Sequence, residues 1–278
     1  MTPTRVLCAV VLTLGVARAG SASEAAPSLE AGYRLMYGLD FESAGQVFLQ
    51  WRTGHPRDPL APMSQAANLL FSELYRSGIL EAQFFVDDRS FTTPKPAAPP
   101  PGLRARFDAA VADAETVARA RLNDNPRDPD ALFALAMAFG LRADFASLVE
   151  GRNLAALSYT REAARVASRL IEVAPDYADA YLATGISEFV VGSLIAPMRW
   201  VLRLAGFKGD KHRGMQQLRL TAERGRFLGP FARILLAIAC LREHDTNGAR
   251  ELLAGLENDF PSNPLFAREL HRIASRTN

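Results

Sequence analysis

Four short turns, each suited to end one helix and begin the next, constrain the fold of this chain most strongly. They lie at residues 55–59 (HPRDP), 125–129 (NPRDP), 174–176 (APD) and 260–264 (FPSNP). Proline cannot continue the helix before it, and the Asp or Ser that follows can cap the next helix. Between the turns apolar residues recur at helical spacing, as over 132–139, and no segment alternates as a strand would. The sequence therefore predicts an all-α fold.

The predicted helices can be grouped into repeating pairs, each with a first helix A and a second helix B. In the first pair Gly32 takes a small position of helix A, and Phe48 takes a packing position of helix B. Further packing positions in the four visible pairs are Ala44, Leu132, Leu135, Ala136, Phe139, Ala163, Ala167, Leu170, Tyr181, Gly185, Ala237, Ala249, Leu253 and Leu256. Because Pro126 and Pro175 are 49 residues apart, the spacing is irregular. A helical bundle with prolines in its loops therefore stays open as an alternative.

This pattern resembles the tetratricopeptide repeat (TPR), a helix-turn-helix unit of about 34 residues. The resemblance implies a right-handed superhelix of antiparallel helix pairs, and the whole chain is similar to exported bacterial TPR proteins. A looser resemblance, to the eukaryotic inclusion-body-clearance and TPR-domain-39 family, rests on residues 206–218, 230–232 and 260–266. That family implies divergent repeats and an adaptor role. Since the predicted export signal has no counterpart there, only the fold is expected to carry over.

Residues 1–19 have the pattern of a secretory signal peptide. Arg5 supplies the positive charge, residues 6–16 form the apolar stretch, and residues 17–19 (ARA) form the cleavage motif. An uncleaved anchor would need about 20 apolar residues. We therefore expect the mature chain to begin at Gly20 and to be periplasmic or associated with the cell envelope.

The composition of the mature chain excludes two classes of function. Loss of Arg5 and Arg18 leaves 30 basic residues against 30 acidic ones, so the protein lacks the positive charge that nucleic-acid binding requires. Cys240 becomes the only thiol. Neither an intrachain disulfide nor a cysteine-based metal cluster can then form.

Departures from the repeat pattern suggest the domain limits. The proline-rich stretch 92–102 favours an extended linker or an exposed loop. It separates an N-terminal helical lobe, residues 20–91, from a helical solenoid, residues 103–278. A non-repeat insertion, residues 192–209, separates the two helices of one pair. Insertions of this kind often carry the function of a repeat protein.

No sequence pattern for catalysis or metal binding is found. His55, His212, His244 and His271 are scattered, and no two have the spacing of metal ligands on one helix face. The chain also lacks a nucleophile elbow and a phosphate-binding loop. We therefore expect a protein that is not an enzyme and that binds neither a cofactor nor a metal.

The TPR resemblance implies that one face of each helix A lines a concave groove, and this groove is predicted to be apolar. The lining residues are Phe133, Met137, Gly140, Leu141, Leu182, Ile186, Phe189, Val190, Phe231, Ile234, Ile238 and Leu241. Chaperone-binding TPR domains hold a peptide carboxylate with Lys, Arg and Asn at these positions, and such residues are missing here. A large apolar groove in water requires a cover. We expect a protein or peptide partner.

The segment 197–213 is predicted to contain a basic amphipathic helix. Its apolar residues are Met198, Val201, Leu202 and Ala205, and its charged or aromatic residues are Arg199, Trp200, Arg203, Lys208, Lys211 and Arg213. Nine basic residues and two acidic ones occur between positions 193 and 233. Three interpretations stay open: the segment covers the groove, contacts an anionic membrane surface, or binds a partner.

Overall fold

The computed structural model describes residues 28–81, 98–193 and 209–277, and over these ranges the chain forms eleven α-helices and no strand. The first six helices are α1 (Leu29–Tyr37), α2 (Phe41–Gly54), α3 (Leu60–Arg76), α4 (Leu103–Asp124), α5 (Pro129–Asp144) and α6 (Asn153–Val173). The other five are α7 (Tyr181–Ser193), α8 (Lys211–Arg224), α9 (Gly229–Arg242), α10 (Thr246–Asp259) and α11 (Pro264–Thr277). A π-helical turn, Phe145–Val149, follows α5, and a 3-10 turn, Ala178–Ala180, precedes α7. The prediction of an all-α fold is confirmed.

The helices pack consecutively, each against the next in the chain, and form five pairs followed by α11. The pairs are α1/α2, α3/α4, α5/α6, α7/α8 and α9/α10. Helix α3 also packs against α1 and α5, so the first helices of neighbouring pairs contact each other. The sequence indicates only four pairs, because the proline-rich stretch hides that α3 and α4 belong together. One core runs from Leu29 to Ile273.

The four proline turns share one backbone geometry. In each, the N–H of the fourth residue donates to the carbonyl of the residue that directly follows the preceding helix, as from Asp58 to His55 at 3.0 Å and from Asp128 to Asn125 at 3.1 Å. The other two bonds, from Tyr177 and from Asn263, are both 3.0 Å long. The four turns, which have similar sequences, therefore end the preceding helices with the same backbone hydrogen bond.

Small residues let paired helices approach closely, at the predicted position Gly32 and also at Gly214. A methyl group added at Gly32 in α1 would overlap the ring of Phe48 in α2. At the crossing of α7 and α8, a methyl group on Gly214 would lie 2.5 Å from the backbone nitrogen of Phe189 and 2.8 Å from the carbonyl oxygen of Gly185. Any side chain larger than hydrogen would push these helices apart.

Helix α1 contacts turns that lie near the other end of the chain. The Tyr37 hydroxyl donates to the carbonyl of Phe227 at 3.0 Å, and the Asn263 side-chain amide donates to the carbonyl of Tyr37 at 2.9 Å. Arg226 forms an ion pair with Glu30 at 2.5 Å. The first pair is therefore tied to the turns that precede α9 and α11, and the array of pairs is closed on itself.

Helix α5 lies at the centre of this array. It packs against α3, α4 and α6, and together with the following turn it gives an apolar stretch, residues 129–149, that is long enough to cross a membrane by length and composition alone. Within the protein, 56% of the apolar window is buried. The central position of α5 in the core accounts for its apolar character.

Candidate binding cavity

The interior of the closed array contains an apolar cavity of about 120 Å³. Helices α1, α3, α5, α6, α7 and α9 all contribute to its walls. Phe71, Met137, Ile186 and Phe231 line it and keep part of their surface accessible. For comparison, an engineered apolar cavity of about 150 Å³ binds benzene. The free space thus matches one small apolar group.

The structure brings five of the eight groove residues named as the candidate site together around this cavity. They are Phe133, Met137, Leu141, Leu182 and Ile186. The other three, Phe189, Ile234 and Ile238, are half-buried and lie away from its walls. Helix α9 contributes Phe231, one turn earlier, instead of the two isoleucines.

Aromatic rings fill much of the predicted groove. The Tyr33 ring of α1 lies 5.0 Å from the ring of Phe227, measured between centroids, and Phe133 stacks on Phe227 at 6.2 Å. Phe71 and Phe231 meet edge to face at 5.3 Å. Because α1 and the turn before α9 pack against the residues predicted to line the groove, the large groove expected from the sequence is reduced to a partly open cavity.

A buried carboxylate fixes one wall of the cavity. Asp179, 3% exposed, accepts the backbone N–H groups of Arg226, Phe227 and Leu228 at 2.8, 3.1 and 2.7 Å. Burial raises the pKa of Asp179, and these hydrogen bonds oppose that shift. All three bonds hold the turn that carries Phe227, so Asp179 is structural and is not free to bind a ligand.

Asp144, the last residue of α5, is the one cavity-lining carboxylate without a hydrogen bond or ion pair in the described part of the chain. Asp144 is exposed, yet it lines the cavity, and the protein atoms around it partly desolvate its carboxyl group. This desolvation raises the pKa of Asp144 from its usual 3.8 to about 7. A carboxylate that is both accessible and poorly solvated is available to a ligand.

The described residues include neither a candidate metal site nor a reactive thiol. No group of three or more His, Cys, Asp or Glu side chains could hold a metal ion in the ranges 28–81, 98–193 and 209–277. All four histidines are exposed. Cys240 is half-buried, and burial raises the pKa of its thiol. The thiol is therefore protonated and unreactive at neutral pH.

The basic segment is described only in part. Arg199, Trp200, Arg203 and Lys208 lie outside the described residues. Lys211 begins α8 and forms an ion pair with Glu243, which directly follows α9. Arg213 lies 3.4 Å from Glu188 of α7. The described part of the segment therefore uses its charges to hold α8 against its neighbours.

Sequence reasoning misses what α1 and α3 contribute to the cavity. Tyr33, Met36 and Phe71 all line it, but α3 is not recognised as the first helix of a pair. The sequence holds one signal for that pair: Pro56 and Pro126 are 70 residues apart, close to two repeats of about 34. No such signal marks Asp144, because the tertiary structure decides which residues lie near its carboxylate and whether it has a partner.

Comparison with known proteins supplies no family or function for this chain. No protein-family model matches it, and no curated protein matches it at a significant level.

Proposed function

We propose that this protein is a non-catalytic, TPR-type binding protein that holds a protein partner by an apolar anchor group in the interior cavity. In this proposal the helix pairs form the right-handed superhelix of TPR proteins. The mature chain acts in the periplasm or at the cell envelope after loss of residues 1–19. It needs no cofactor, metal or nucleic acid.

The observation that carries this proposal is an accessible apolar cavity in an otherwise well-packed core. This cavity of about 120 Å³ lies between several helices, its lining is mostly apolar, and part of its wall is exposed, so a partner side chain can enter it. Burying one Leu or Phe side chain there would contribute about 1.5–3 kcal/mol to binding. That is enough for one anchor, and further contacts would come from the rim.

A protein partner has more support than an anionic membrane surface. Lys211 and Arg213 pair with acidic residues of neighbouring helices, and so do Arg226 and Arg233. Paired side chains attract lipid head groups less than free ones do. The apolar surface of the cavity is also concave, which suits an inserted side chain better than a flat bilayer.

A cavity-filling variant tests the proposal. Gly140 lines the cavity, and a methyl group added there has no atom within 4 Å, so Gly140→Leu should fill the space without strain. We expect the mature Gly140→Leu protein, used as bait on the envelope fraction of the source cells, to lose the proteins that the wild type captures. Quantitative mass spectrometry measures the loss.

Gly54→Leu is the matched control. Gly54 ends α2 on the exposed surface, and an added methyl group there also has no atom within 4 Å. This variant should capture the same proteins as the wild type. Equal capture by Gly140→Leu and wild type, with both proteins folded, would show that the cavity is not the binding site.

A further inference from the structure

Most of the polar groups that line the cavity already have a hydrogen-bond partner within the protein. The Tyr37 hydroxyl and the Asp179 carboxylate have hydrogen-bond partners within the protein, and the Thr160 hydroxyl donates to the carbonyl of Ala156 at 2.9 Å. The Tyr33 hydroxyl lies 3.3 Å from the hydroxyl of Ser64. Among the described polar groups that line the cavity, only the Asp144 carboxylate has neither a hydrogen bond nor an ion pair.

We propose that Asp144 makes the cavity selective for a cationic anchor, an apolar group that carries an ammonium or guanidinium nitrogen beside it. An ionised carboxylate only accepts hydrogen bonds, and charge-assisted bonds to a cation are the strongest it can form. Asp144 and Asp179 both line the cavity, and no lysine, arginine or histidine among the described residues does. The field inside it therefore favours cations and repels anions.

This inference rests on the proposed function, because it assigns the anchor to a protein partner. The cavity has room for one group of about benzene size, so the rest of any ligand must lie outside it. A partner segment meets this condition when it places one apolar side chain in the cavity and a lysine or arginine side chain beside it. This chemistry is opposite to that of TPR domains that bind a terminal carboxylate.

Three probes of similar shape and different charge separate the contributions of the walls and the carboxylate. They are 2-phenylethylammonium, 2-phenylethanol and phenylacetate, titrated into the mature protein at about pH 8, above the pKa of Asp144. We expect the cation to bind about tenfold more tightly than the alcohol, and phenylacetate to bind least. Calorimetry or NMR chemical-shift titration gives the dissociation constants.

Variants assign the selectivity to Asp144. Asp144→Asn should bind the cation and the alcohol with equal affinity, whereas Asp144→Glu should keep a preference for the cation. Asp176→Asn is the matched control, because Asp176 is exposed and does not line the cavity. It should behave as the wild type does. Circular dichroism establishes that each variant is folded.

The possible outcomes are distinct. Equal binding of the cation and the alcohol to the wild type would overturn the inference and leave the apolar cavity as a binding site. Binding of no probe would overturn it as well, while partner capture tests the proposed function separately. If 2-phenylethylammonium binds but does not displace captured proteins, the ligand is a free amine and the assignment to a protein partner is wrong. Displacement by the cation alone supports it.

Discussion

Asp144 is held in a site that disfavours its charge. Asp144 is exposed, but a carboxylate that loses part of its contact with water is costly to ionise unless it is paired. Asp144 has no partner in the described part of the chain, and burial alone shifts its pKa. Groups shifted in this way cluster at functional sites, where stability is lost in exchange for binding or catalysis. At the scale of one residue, this carboxylate is the strongest indication of a ligand.

The pKa of Asp144 predicts how its replacement changes stability with pH. A carboxyl group with a pKa of about 7 when folded and its usual 3.8 when unfolded stabilises the fold at low pH. That stability is lost as the pH rises through about 7, because the folded state resists giving up the proton. Asp144→Asn should therefore melt at a higher temperature than the wild type at pH values above the folded pKa.

Thermal melts at several pH values check this prediction. The difference between the two melting temperatures should grow as the pH rises from about 4 to about 7 and then level off. A difference that is constant over this range would mean that Asp144 titrates at its usual pKa.

At the scale of helices, the turns explain what could be predicted from the sequence. Where proline and Asp or Asn mark a stop, as at Pro56, Pro126 and Pro261, the observed helices end as expected. Helix α8 ends at Arg224 without a proline, and the chain passes through Gly225 instead. The pair α3/α4 is also missed, because the proline-rich stretch between its helices is not part of a repeat. The residues of a turn predict where a helix ends, but they do not predict that a non-repeat segment is inserted between two paired helices.

Replacing glycine by alanine is predicted to have opposite effects at two positions. Gly214 lies at the crossing of α7 and α8, and Gly140 lies in α5. Gly214→Ala would place a methyl group 2.5 Å from the Phe189 backbone nitrogen, so α8 must move away from α7. We expect the free energy of unfolding to fall by about 1–3 kcal/mol. Gly140→Ala adds the same methyl group where no atom lies within 4 Å and should raise it by about 0.5–1 kcal/mol.

Urea denaturation of both variants checks these signs. Gly185 lies on the other side of the same crossing, where an added methyl group would be 3.2 Å from Gln217 and Leu218. Gly185→Leu should therefore also destabilise the protein. If Gly214→Ala and Gly140→Ala stabilise the protein equally, helix propensity decides both and the close approach of α7 and α8 is incorrect.

At the scale of the molecule, closure of the array could not be predicted. Tyr37 contacts Phe227 and Asn263, which are 190 and 226 residues away. Repeat register describes only neighbouring pairs, so it indicates an open groove where these contacts produce a cavity. This explains why the predicted groove residues Phe133 and Leu182 are almost fully buried. It also explains why the sequence does not predict that α1 lines the cavity.

Closure predicts that the two ends of the chain lose protection from hydrogen exchange together. The Asn263 side chain accepts the N–H of Leu265 within its own turn and donates to the carbonyl of Tyr37 in α1. Asn263→Asp keeps the acceptor, as in the turns at Asp58 and Asp128, but removes the donor. Because the buried Tyr37 carbonyl then lacks its partner, exchange in α1 should become about tenfold faster or more, along with exchange in α11.

Hydrogen exchange measured by mass spectrometry distinguishes closure from a linear array, in which each pair depends only on its neighbours. Asp128→Asn is the control, because Asp128 caps α5 and pairs with Arg121 in the preceding helix without contacting α1. It should leave exchange in α1 unchanged. If Asn263→Asp accelerates exchange in α11 alone, α1 is held by α2 and α3, and the contacts between the chain ends contribute little to stability.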